Sequence, residues 1–143
     1  MSTSLSMEKF SDHIIAVAQQ NNREITNLKL QKVMYFTLKY AIENEIFTDK
    51  QLKELYNEPF LVWAYGPVVK SQYDRFKRFG SAPILGVFKS EDTLNNLNSN
   101  ILQNLLRTAS ELVSESHKVL FWKQNKNKII GFRSDVAYTL GDI

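Results

Sequence analysis

Thr26-Asn-Leu-Lys-Leu-Gln-Lys-Val-Met-Tyr-Phe-Thr-Leu-Lys-Tyr-Ala-Ile-Glu-Asn44 is the stretch that decides the fold. Leu30, Val33, Met34, Thr37, Leu38, Ala41 and Ile42 recur at the spacing of one helical face. Leu28, Tyr35 and Phe36 add apolar groups elsewhere on the same cylinder. A helix that is apolar on more than one face is central and buried. The spacing therefore predicts a spine helix over Asn27 to Asn44. Thr26 is its N-cap, a hydroxyl placed to accept from an otherwise unpaired backbone N–H.

Outward from this spine, helical signals dominate. Met7, Phe10, Ile14, Val17 and Ala18 predict a first helix over Met7 to Gln20, with Glu8 suited to the positive end of its dipole. Asn21 to Glu24 reads as a turn. Thr48-Asp-Lys-Gln51 is a capping box that starts a short helix carrying Leu52, Leu55 and Tyr56, and Pro59 ends it. Phe60 to Tyr65 is β-branched and aromatic, the composition of a short strand. Pro67 suits the first position of a further helix, which would turn Val69, Tyr73, Phe76 and Phe79 inward and Ser71, Arg75 and Arg78 to another face. Gly80 and Pro83 end it. A short strand is expected over Ile84 to Phe88. Ser90 is read as the cap of a helix carrying Leu94, Leu97, Ile101 and Leu105. Thr108-Ala-Ser-Glu111 is a second capping box, so the pattern breaks there and restarts. A short helix through Phe121 and Trp122, an extended piece over Ile129 to Phe132 and a last turn or two capped by Ser134 complete the chain. These elements make a mainly α fold: one compact domain over residues 1–143, a bundle of about six or seven helices with short β pieces.

The 143 residues are 43% hydrophobic, 23% charged and 12% aromatic, enough to fill a core and ordinary for a globular protein. Five glycines and three prolines argue against disorder and for helices. The absence of cysteine excludes disulfides, thiolate metal sites and cysteine nucleophiles. A net charge of +3 is small for a dedicated nucleic-acid binder and gives weak support for an acidic partner. The start, Met1 to Ser6, lacks the pattern of a signal peptide, and no apolar run approaches the ~18 residues of a membrane span. A cytoplasmic location is expected.

Signals for catalysis are sparse. His13 and His117 are the two histidines. His13 adjoins Asp12, but neighbours along a helix do not face each other. No histidine pair at metal spacing, nucleophile elbow or phosphate loop occurs. His117 and Trp122 read as a packing pair at a helix end. The expectation is a protein that is not an enzyme, with no cofactor and no metal.

Three stretches carry a family resemblance. Ile25-Thr-Asn-Leu-Lys-Leu-Gln-Lys-Val-Met-Tyr-Phe36 is similar to the opening signature of the Panacea antitoxin family, the SocA-like, phage-associated family. Phe60-Leu-Val-Trp-Ala-Tyr-Gly-Pro-Val-Val69, with Tyr73 and Phe76 after it, resembles the second signature. Ser116-His117 with Trp122 resembles the third, a Thr-His element followed by Pro-Trp, in which Ser116 and Phe121 replace the usual Thr and Pro. The resemblance implies a mostly helical domain that is the antitoxin of a bacterial or prophage toxin–antitoxin pair, whose expected partner is a cognate toxin encoded by the adjacent gene. A relative that delivers its toxin to a cytoplasmic protease supplies an alternative role, and the basic faces supply another, a nucleic-acid-binding regulator. The residues expected to meet a partner are Trp63 and Tyr65, as rigid aromatic anchors, and the basic Lys70, Arg75 and Arg78, followed by Lys29 and Lys32. Each has a plainer reading too: Trp63 as core, the lysines and arginines as solvated faces. A second basic stretch runs through Lys118, Lys123, Lys126, Lys128 and Arg133.

Overall fold

A computed structural model describes residues 4–143, so the part of the N-terminal reading that rests on Met1 to Thr3 lies outside the described residues. Helix α1 (Met7–Gln20) begins where the Ser6 hydroxyl accepts from Lys9 N–H, and α2 (Asn27–Glu43) begins where Thr26 accepts from Lys29 N–H. α2 is the spine expected from its pattern. Leu30, Val33, Met34, Tyr35, Leu38 and Ala41 are all fully buried, and the helix packs against α1 and most of the elements that follow. Leu28 and Phe36, on its flanks, stay partly open.

Helix α3 (Asp49–Leu55) starts at the Thr48–Gln51 capping box, with both reciprocal hydrogen bonds formed. Strands β1 (Phe60–Trp63) and β2 (Gly66–Val69) then form an antiparallel hairpin, Phe60 opposite Val69 and Trp63 opposite Gly66. Helix α4 (Lys70–Phe76) follows without a break. A 3-10 turn over Asp92–Leu97 leads into α5 (Asn98–Leu105), the second capping box opens α6 (Ala109–Ser116), and α7 (Leu120–Asn125) carries Phe121 and Trp122. The described residues thus hold seven α-helices and one two-stranded sheet around one continuous core, the mainly α, compact single domain that the pattern predicts. Among them, no helix is long and apolar enough to cross a membrane.

The structure corrects the sequence reading at five places, all of them short. Pro67 opens no helix: it sits in β2 opposite Val62, because Gly66 at φ +99° folds the chain back along β1. Ile84 to Phe88 forms no strand; Ile84 N–H reaches the Ile25 carbonyl, while Leu85 and Val87 face solvent and find no sheet edge. Ser90 caps nothing, and the Glu91 N–H donates instead to His13 Nδ1. The stretch after Ile129 is not extended: Ile130 to Arg133 closes a tight turn through Gly131, at φ +68°. Ser134 starts no helix. Its hydroxyl donates to the Val62 carbonyl, and Phe132 to Tyr138 runs along the open edge of β1, where Phe132, Val136 and Phe60 carbonyls take N–H groups from Ala64, Val62 and Tyr138. An edge strand needs partners, and the C-terminal segment supplies them.

A candidate protein-binding groove at the hairpin

The backbone of the β1–β2 hairpin is held by side chains from α2 and from the segment around α7. From α2, Lys32 Nζ donates to the Pro67 carbonyl at 2.6 Å, and Gln31 Oε1 accepts from Val69 N–H at 2.9 Å. From the chain after α6, the His117 ring donates through Nε2 to the Ala64 carbonyl at 2.9 Å, and Trp122 Nε1, on α7, donates to the Trp63 carbonyl at 3.0 Å. The His117 and Trp122 rings stack at 3.9 Å. The three stretches singled out in the sequence therefore meet here: the first and third clamp the second. Gly66 is required at the crossing. A Cβ there would strike the Ser116 hydroxyl and Lys32 Cε, and its positive φ disfavours any other residue.

Clamped this way, the hairpin forms one wall of a groove of about 460 Å³. Trp63 stands edge-on to Tyr73 at 5.1 Å and is 6% exposed. Tyr65, on the turn, is 56% exposed and stacks with Phe132, itself 66% exposed, at 6.4 Å. Leu28 and Val68 complete the apolar lining. The Arg133 guanidinium lies 4.4 Å above the Trp63 ring and 5.6 Å from that of Tyr73. The two amides in the lining are already paired: Asn27 Nδ2 donates to the Tyr73 carbonyl, and Gln31 Nε2 donates to Asn27 Oδ1. Such a groove is rigid and apolar, with aromatic rings left in water at its rim. Folding gains nothing from that exposure, and contiguous apolar surface of this kind marks an interaction site.

The residues expected to meet a partner divide sharply. Trp63 is groove wall and Tyr65 groove rim. Lys32 is not on the surface at all: it is fully buried, and burial pushes its ammonium down to about 7. Lys29 is half-buried and donates to the Leu105 carbonyl at the end of α5, which satisfies one of the unpaired carbonyls of that helix end. The two lysines three positions apart therefore share no solvated basic face, since the helix that carries them is enclosed on that side. Lys70, Arg75 and Arg78 are exposed on or just after α4 but do not line the groove. Lys70 pairs with Asp74 at 2.9 Å, Arg75 pairs with Asp12 at 2.6 Å and lies over Phe76, and Arg78 lies over Phe79. The cations that line the groove are Lys77 and Arg133. Tyr73, Phe132 and Arg133 were not among the expected contact residues. Phe132 and Arg133 sit in an aperiodic turn, and only the pairing of the C-terminal segment with β1 brings them to Tyr65.

Other polar groups serve the fold. His13 is fully buried, accepts from Glu91 N–H at Nδ1 and donates to Asn98 Oδ1 from Nε2. Burial lowers its proton affinity, which suits the neutral ring this bonding requires. Burial also lowers that of His117. Lys32 and Ser116, a pairing of types used for nucleophilic catalysis, are both fully buried, and the Ser116 hydroxyl donates to the Val113 carbonyl. Among the described residues, no three acidic or histidine side chains converge as metal ligands.

Comparison of the chain with family models, with curated proteins and with solved structures finds no match.

Proposed function

We propose that this domain is a protein-binding module whose partner seats on the aromatic groove. More particularly, we read it as the antitoxin of a bacterial or prophage toxin–antitoxin pair, acting in the cytoplasm without catalysis. The observation that carries the binding role is the stacked Tyr65–Phe132 pair, exposed beside buried Trp63 on a hairpin fastened by Lys32, Gln31, His117 and Trp122. Aromatic anchors on a rigid scaffold bury large area on binding and lose little conformational freedom. The antitoxin role rests on the resemblance of the three stretches, which converge on this same hairpin. Neutralisation is then steric: the domain covers a working surface of the toxin or holds it inactive. A stable interface of about 800 Å² per partner exceeds the groove, so the rim around it takes part.

The test is co-expression with the product of the adjacent gene. That product is expected to arrest growth alone, to be neutralised by this protein, and to co-purify with it. Tyr65→Ser combined with Phe132→Ser, both at exposed positions, should abolish rescue while leaving the thermal unfolding midpoint unchanged. A toxic neighbour that is neither rescued nor bound would refute the proposal.

A further inference from the structure

The groove has an excess of hydrogen-bond donors and of positive charge, and this selects among possible occupants. The Arg133 guanidinium takes part in no ion pair among the described residues, although it is a planar donor that matches a carboxylate. It lies over the Trp63 ring and close to that of Tyr73, contacts that place it at the groove wall before any ligand arrives. The acceptors nearby are committed: Asn27 Oδ1 to Gln31, and Gln31 Oε1 to Val69. Asp74, which feels the Arg133 charge, is shared by Lys70 at 2.9 Å and Lys77 at 3.7 Å, so three cations draw on this carboxylate. An aromatic enclosure like this would suit a cationic ligand if it were empty, but the protein's own Arg133 takes the cation's place.

We infer that the groove takes a segment of the partner protein in which a large apolar side chain lies next to a carboxylate. The apolar group packs between Tyr65, Phe132 and Leu28, and the carboxylate pairs with Arg133. This rests on the protein-binding reading above and adds the chemistry of the partner. A single-stranded nucleic acid, which also stacks on aromatic rings, needs a basic track along its backbone. Here Lys77 is already engaged by Asp74, which leaves Arg133, among the described residues, as the one cation in the lining without an ion pair.

The experiment is selection of a random dodecapeptide library displayed on phage against the immobilised full-length protein, with counter-selection on the Tyr65→Ser/Phe132→Ser variant. Enriched peptides are expected to place Phe, Trp or Leu beside Asp or Glu. In calorimetry with one synthetic peptide, Arg133→Gln should weaken binding by about tenfold or more. Amidation of the peptide carboxylate should do the same, and the two changes together should cost no more than either alone. Arg133→Lys, which keeps the charge and loses the planar fork, should weaken binding by a smaller factor and serves where Arg133→Gln fails to fold. Additive losses, binding indifferent to Arg133, or no peptide that distinguishes the wild type from the groove variant would each overturn the inference. So would tighter binding of a fluorescent oligo-dT that Tyr65→Ser abolishes. The two proposals fail separately. A neighbouring toxin bound equally well by Arg133→Gln removes the carboxylate partner and leaves the antitoxin; groove-dependent acidic peptides beside a harmless neighbour remove the antitoxin and leave the groove.

Discussion

Replacing Lys32 by Met should stabilise this protein near neutral pH and remove a rise in stability toward alkaline pH. Lys32 is fully buried, its one hydrogen bond goes to the Pro67 carbonyl, and no carboxylate stands against it. Burial brings its proton affinity down from 10.5 to about 7. In the unfolded chain the lysine keeps its ordinary affinity, so between pH 7 and 10.5 the unfolded state holds a proton that the folded state has released. Stability then climbs by up to about 1.4 kcal/mol per pH unit across that window and is insensitive to this group below it. Below pH 7 both states are charged, and the charge costs the fold about 5 kcal/mol relative to a neutral amine. Met keeps the apolar stem and removes the charge, but it leaves the Pro67 carbonyl unpaired, at about 1–3 kcal/mol. The variant is therefore expected to be more stable by about 2–4 kcal/mol at pH 6 and to lose about 3 kcal/mol of that advantage by pH 9.5, where the two proteins come within about 1–2 kcal/mol of each other. Urea denaturation followed by circular dichroism at intervals from pH 6 to about 9.5 measures the difference directly, provided the m-value is unchanged. Taking the difference cancels the titration of His13, His117 and the buried tyrosines. A difference that stays constant across the range, or a variant less stable at pH 6, would refute the account of Lys32 as an unpaired buried amine.

Other expectations follow from single groups. The Tyr35 hydroxyl is buried without a partner among the described residues, so Tyr35→Phe should raise stability by about 1–2 kcal/mol; a loss in the same urea titration would mean that the hydroxyl is bonded after all. Gly66→Ala should destabilise by about 2–4 kcal/mol, because a Cβ collides with Ser116 and Lys32 at a backbone conformation disfavoured for alanine; an unchanged melting temperature would contradict that geometry. His13 has its proton affinity lowered by burial, so the unfolded chain takes up the proton first as pH falls. Stability should drop as pH passes below about 6.5, and His13→Gln should flatten that drop. Proton titration of the His13 ring by NMR gives the check, with a midpoint at or above 6.5 as the contrary result.

What the sequence by itself determined was everything that depends on local periodicity and on pairs of residues a turn apart. The apolar spacing of Met7–Gln20 and Asn27–Glu43 and the capping boxes at Thr48 and Thr108 specify helices whose energetics are local, and each lies where the pattern puts it. Trp63 and Tyr65 stood out by residue type beside a Gly-Pro turn, but that the first is buried and the second exposed was not legible there. What only the tertiary structure decided was whatever needs a partner distant in the chain. Pro67 lies in a strand because β1 folds back on it, and Ser134 bonds to Val62 across 72 positions. Charge on α2 reads as solvated surface until the surrounding helices enclose Lys32, since burial is a property of the neighbours and not of the residue. The groove belongs to this second kind: Tyr65 and Phe132 are 67 positions apart in the sequence, and no local rule joins them.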